Sequence, residues 1–149
     1  MPRASGPAMD EESVIRLRNA VLRIARRLRT SGDPEGLTAT QSSVLATLVR
    51  RGPMRAGDLA DSEALNPTLL SRVLGHLETR GLAAREPDPA DGRATLARAT
   101  PAGTRLVGRL RARRAALLLE WLEGVEPERR AALRAALPAL EELAEGGRP

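Results

Sequence analysis

The residues best placed to do chemistry in this 149-residue chain stand close together: Thr68, Ser71 and Arg72, with Arg93 about twenty positions on. The first three are two hydroxyls and a guanidinium, within the stretch Asn66 to Gly81. That stretch reads as one helix with both ends written into it. Asn66 is an N-cap, since its side-chain oxygen can accept an orphan backbone N–H, and Pro67 suits the first helical position. Leu69, Leu70, Val73, Leu74 and Leu77 recur at helical spacing and predict one apolar face. Gly81 stops the helix, and Leu82 can fold back on Leu77 as in a Schellman cap. At about 1.5 Å per residue the helix is roughly 22 Å long. A capped helix whose first turns offer small hydrogen-bonding groups and one guanidinium suits the floor of a nucleic-acid major groove.

Other chemistries are poorly served. Cysteine is absent and histidine occurs once, so thiolate zinc sites, disulfides, cysteine redox switches and His-rich metal sites are excluded. His76 has no partner for a triad or a metal site and reads as a packed or exposed helix residue. Glu141 and Glu142 are adjacent and point differently on a helix. There is no glycine-rich phosphate loop. The expectation is a protein that is not an enzyme and carries no cofactor. No apolar run approaches a membrane span, and the N-terminus lacks the apolar core of a signal peptide, so a cytoplasmic protein is expected. The net charge is +5 and every positive charge is an arginine. Arginine with abundant Ala, Gly and Pro suggests a GC-rich genome, so the distribution says more than the total. The excess is densest over residues 85–114, with 8 arginines against 3 acids. A local basic patch fits a polyanion.

The elements that must position these groups follow in order. Residues 1–9 read as a disordered lead-in and 146–149 as a frayed end, leaving one domain over 10–145. Asp10 to Thr30 predicts a helix with the stripe Val14, Leu17, Val21, Ile24, Ala25 and Leu28. Ser31 to Gly36 is a loop. Thr38 with Gln41 makes a capping box for a second helix, ended by Gly52-Pro53. A short helix over Ala56 to Ser62 is joined through Glu63 to Leu65 to the Asn66 cap, a helix-turn-helix pattern. Leu82 to Glu86 and Ala94 to Arg98 flank a Pro/Asp/Gly tip and predict a β-hairpin. Thr100-Pro101 opens a long helix to about Glu123, and Glu126-Pro127 opens a last one to about Ala144. Pro138 inside that helix predicts a kink or a break. Trp121 is the sole aromatic residue; packing in a dimer or domain core is favoured over stacking on a ligand.

Helix-turn-helix followed by hairpin is a winged helix, so the fold class is mainly α. The order Leu37-Thr38, Gln41, Leu45, Leu59-Ala60, Ser71-Arg72, Leu77-Glu78, Gly81-Leu82 and Arg85 resembles the multiple-antibiotic-resistance regulator (MarR) family of bacterial transcription factors. Asp88 with Asp91-Gly92-Arg93, then Thr100-Pro101-Ala102-Gly103, completes the likeness, which spans about residues 11 to 145. The resemblance implies a two-stranded β wing on a DNA-binding lobe over 38–100, flanked by dimerisation helices over 10–30 and 101–145. It also implies a homodimer on double-stranded DNA, acting as a repressor at a pseudo-palindromic operator. Each recognition helix would enter a major groove and each wing arginine a minor groove. The candidate DNA-binding set is then Asn66, Pro67, Thr68, Ser71, Arg72, Asp91 and Arg93, with Asp91 orienting the Arg93 guanidinium or ordering the turn. Arg72 admits two roles, a bidentate contact to guanine or a phosphate contact. Release in the family often comes from a small phenolic or lipophilic effector between the dimerisation helices and the DNA-binding lobe. Two departures stand out: Ala56 lies where the family often places a polar cap, and Gly75 sits inside the recognition helix. The rival readings are a winged-helix protein-interaction module and a nonspecific DNA binder without effector control.

Overall fold

A computed structural model describes residues 9–30 and 35–146. Its elements are six helices and three strands among the described residues. They are α1 (Glu11–Thr30), α2 (Ala39–Arg51), β1 (Met54–Arg55), α3 (Ala56–Glu63), α4 (Pro67–Thr79), β2 (Ala83–Asp88), β3 (Asp91–Ala99), α5 (Pro101–Glu123) and α6 (Pro127–Ala144). The chain divides into two compact units, Met1–Arg111 and Ala112–Pro149.

The core of the first unit is aliphatic. Val44, Leu45 and Leu48 from α2, Leu59 from α3, Leu70, Leu74 and Leu77 from α4, and Leu106 from α5 are almost completely withdrawn from solvent. Each contributes about 1.5–3 kcal/mol of burial free energy. The helix ends follow the caps expected. Thr38 Oγ1 accepts the Gln41 amide and Gln41 Oε1 accepts the Thr38 amide, completing the capping box. Asn66 Oδ1 accepts the Leu69 amide at 2.8 Å. At the far end of α4 the Leu82 amide donates to Leu77 O and the Gly81 amide to Glu78 O, the Schellman pair, with Gly81 at φ +67°.

Four expectations change. The wing is not a lone hairpin, because β1 adds a third strand in the antiparallel order β1-β3-β2. Met54 and Arg55 pair with Ala97 and Leu96 of β3. The hairpin strands are also longer than alanine, glutamate and proline would suggest, leaving only Pro89 and Ala90 between them. Leu69 lies off the buried face of α4 and is 41% exposed. Finally, of the kink or break expected at Pro138 the break is not found, since α6 runs through it as one helix. The loop expected from Ser31 falls mostly on residues outside the described set, as do most of residues 1–9 and the last three residues.

Two helices keep their apolar stripes but bury none of them in the single chain: no residue of α1 or of α6 is buried. In the second unit, Leu119, Leu122, Leu133 and Leu137 line an open apolar groove between the end of α5 and α6. No helix of the described residues is long and apolar enough to cross a membrane.

Candidate nucleic-acid interface

The turn that aims α4 is built on a non-glycine residue in the left-handed region. Ala64 has φ +52°, which costs roughly 1–2 kcal/mol. Its neighbours offset that cost. The Leu65 amide returns to Ala60 O at 2.9 Å, and Leu65 packs against the core. Glu63, the last residue of α3, accepts hydrogen bonds from Ser43 and Thr47 of α2. One carboxylate thus ties the end of α3 to α2, just before the chain turns into α4.

On α4, Thr68 and Arg72 are one turn apart and share an exposed stripe with His76. Ser71 is exposed but turned about 100° from Arg72, toward a cavity of about 130 Å³ that Ala56, Gly57 and Arg85 help to line. Asn66 and Pro67 are exposed at the helix start, with the Asn66 side chain engaged in the cap.

The wing places Arg93 in an irregularity. Pro87 pairs with Thr95 and Asp88 with Asp91, so Gly92, Arg93 and Ala94 bulge from β3 with no partner on β2. Asp91 Oδ1 accepts the Arg93 amide at 3.1 Å. Of the two roles expected for Asp91, its contact orders the turn rather than holding the guanidinium.

Sequence reasoning missed Arg55. Its Nε and Nη2 both donate to Asp88 Oδ2, at 2.9 and 2.7 Å, while Asp91 Oδ2 lies 3.9 Å from Nη2. Asp88 Oδ1 accepts the Ala90 amide at 2.9 Å. The Asp88 side chain is only 8% exposed. Arg55 occupies the cap position of α3 and makes no capping hydrogen bond there. The cap position of α3 thus falls on Arg55 and not on Ala56, and a strand pairing and an ion pair there join α3 to the wing. Only the acidic pair Asp88 and Asp91 hinted at such a partner; a two-residue strand carries no periodicity.

The Ala90 amide first, and the Arg55 guanidinium second, hold the Asp88 carboxyl below the usual carboxylate range. A depressed folded pKa stabilises the fold above the unfolded value of about 4, and that contribution is lost as pH falls through the folded value. Asp88→Asn therefore lowers the melting temperature at neutral pH, and the gap from the unsubstituted protein closes below pH about 4. Thermal melts across pH check this; a gap independent of pH would remove the carboxylate from the explanation.

The arginines around the two elements differ in occupation. Arg85 pairs with Glu78 at 2.9 Å, Arg98 with Glu86 at 2.8 Å and Arg109 with Glu35 at 3.1 Å. Arg80 donates to the Glu35 carbonyl. Among the described residues, the guanidinium groups of Arg72 and Arg93 have no such partner, and both residues are exposed. A capped helix seated on a helix-turn, with a three-stranded wing beside it, defines a winged helix-turn-helix protein. A family model for the MarR family matches residues 37–95. The chain is 36% identical to an uncharacterized HTH-type transcriptional regulator of Mycobacterium leprae over 124 residues, 83% of this chain and 87% of that one. The chain belongs to the MarR family of transcriptional regulators. A transcriptional regulator from Thermotoga maritima has the same fold, with a TM-score of 0.76 at 23% identity, covering 91% of this chain and 96% of that one. So does a point mutant of MepR from Staphylococcus aureus, bound to an oligodeoxyribonucleotide, with a TM-score of 0.65 at 16% identity over 92% and 99% of the two chains.

Proposed function

We propose that this regulator is a sequence-specific DNA-binding repressor that acts as a homodimer on a pseudo-palindromic operator. One observation carries the reading: the recognition helix and the wing each present an exposed guanidinium without an internal partner, while Arg55, Arg85, Arg98 and Arg109 nearby are engaged. Unpaired cations on a rigid frame are what phosphates and base edges take up. The relative bound to an oligodeoxyribonucleotide supports the same use of the fold. In this reading Arg72 and Thr68 enter the major groove, with Ser71 beside them and Asn66 and Pro67 setting the helix start. Arg93 enters the adjacent minor groove, and Asp91 holds the turn that presents it.

Homodimerisation is the use proposed for residues 10–30 and 101–145. It is supported by the stripe of α1, where Val14, Val21 and Ile24 are about half exposed, and by the leucine groove of the second unit. Release by a small lipophilic effector belongs to the same proposal, with a coupling of about 1–3 kcal/mol.

The test is fluorescence anisotropy at physiological salt, with DNA from upstream of the protein's own gene against a shuffled duplex of equal length. A preference of about 10³-fold or more is the expected result. Arg93→Ala should weaken binding and lower the slope of log affinity on log salt by about 1. An unchanged slope would take Arg93 off the DNA. A folded dimer that binds neither duplex would replace this reading with the protein-interaction module.

A further inference from the structure

Between residues 35 and 117, among the described residues, Leu69 is the one large apolar side chain that stands exposed, at 41%. The others left exposed lie at Met9–Ile24 and Leu118–Leu143, on or beside the helices assigned above to dimerisation. Leu69 is instead the third residue of α4. At about 100° per residue it stands about 60° around the helix from Arg72, with Thr68 about 40° to the other side. Helical side chains lean toward the N-terminus, so Leu69 covers the first turn, the end that leads into a major groove. The floor of that groove is a field of donors and acceptors with one apolar group, the C5-methyl of thymine.

We propose that Leu69 is a specificity-determining residue that packs on a thymine methyl and so selects an A·T pair in each half-site. The proposal rests on the DNA-binding reading above and adds to it a base that neither guanidinium reads. Arg72 next to it would take guanine or phosphate, so the same turn would join an apolar to a charged contact.

The experiment selects a consensus duplex from a randomised pool with the full chain, then replaces each thymidine in turn by deoxyuridine, which lacks only the methyl. Affinities are measured by anisotropy at constant salt for the unsubstituted protein and for Leu69→Ala. The expected result is a loss of about fourfold per methyl, or about 15-fold for the symmetric pair, at one position in each half-site. Leu69→Ala should show no uracil penalty there, and Leu69→Met should keep most of it. Leu69 is exposed, so the melting temperatures of both variants should match that of the unsubstituted protein, which a core role would not allow. A flat uracil scan on a clear consensus, a consensus lacking thymine, or equal penalties with and without the leucine would overturn the role of Leu69 alone. A pool that yields no consensus would overturn the DNA reading together with it.

Discussion

Replacing Gly103 by alanine should lower the melting temperature by about 10 °C, one of the two largest effects expected of any single change. An ideal Cβ at Gly103 falls on the carbonyl oxygen of Leu82, with Leu45 Cδ1 at 3.0 Å behind it. The obstacle is backbone, and that backbone is engaged. The Leu82 oxygen accepts the Thr100 amide at 3.0 Å, and Thr100 Oγ1 donates to the Gly81 oxygen at 2.6 Å while accepting the Gly103 amide at 3.1 Å. No rotamer change relieves the collision; α5 or the start of β2 must move. Overpacking costs about 1–3 kcal/mol, and each kcal/mol shifts melting by about 2–4 °C at this size, so a backbone collision belongs at the upper end. Gly108, on the same helix, is the control. Nothing lies within 4 Å of a Cβ built there, so alanine should stabilise by about 0.5–1 kcal/mol. Calorimetric melts of the two variants should move in opposite directions. Equal shifts would mean that helix propensity, not the Leu82 carbonyl, governs both sites.

Arg72→Ala should cost about 1–3 kcal/mol of operator affinity and flatten the preference between operator variants at one position. The physical reason is the planar fork of the guanidinium, which can donate twice to one guanine edge. Among the described residues nothing holds that fork, so alanine leaves no buried partner unsatisfied there and the melting temperature should stay where it is. Arg72→Lys keeps the charge but not the fork, so it should restore overall affinity more than discrimination. Anisotropy titrations against a panel of single-base operator variants measure both quantities. A loss that is the same for every sequence would assign Arg72 to a phosphate.

How much of this could be read from the residues depends on how local the cause was. Asn66-Pro67, Thr38 with Gln41, Thr100-Pro101 and Gly81 state helix ends through bonds within a few residues, and those ends lie within a residue or two of where they were expected. The Pro/Asp/Gly tip announced the hairpin in the same way. Its extent was not legible, because pairing with β3 overrides the weak strand propensity of Ala83, Ala84 and Pro87. β1 was invisible for a related reason: two residues, Met54 and Arg55, joined to the distant Ala97 and Leu96 have no pattern of their own. Arg55 went unnoticed with it, although it holds Asp88. Leu69 shows a different limit. Period 3.6 says that it lies beside Leu70 and Val73, but the edge of a buried stripe is set by what packs on it. For the site, the positions of Thr68, Arg72 and Arg93 followed from caps and turn residues. Which arginines are free did not, since Arg85–Glu78 and Arg109–Glu35 are matters of register and packing.

The bonds around Thr100 have a mechanical meaning as well as a stabilising one. The last carbonyls of the recognition-helix cap and the first turn of α5 are stitched together at Gly81 and Leu82, with no room between Leu82 and Gly103 for the two to slide. A hinge cannot lie in that seam. Within the first unit, the recognition helix and the opening turn of α5 therefore turn as one body. A small tilt of that first turn of α5 is therefore carried to the angle at which Arg72 is presented.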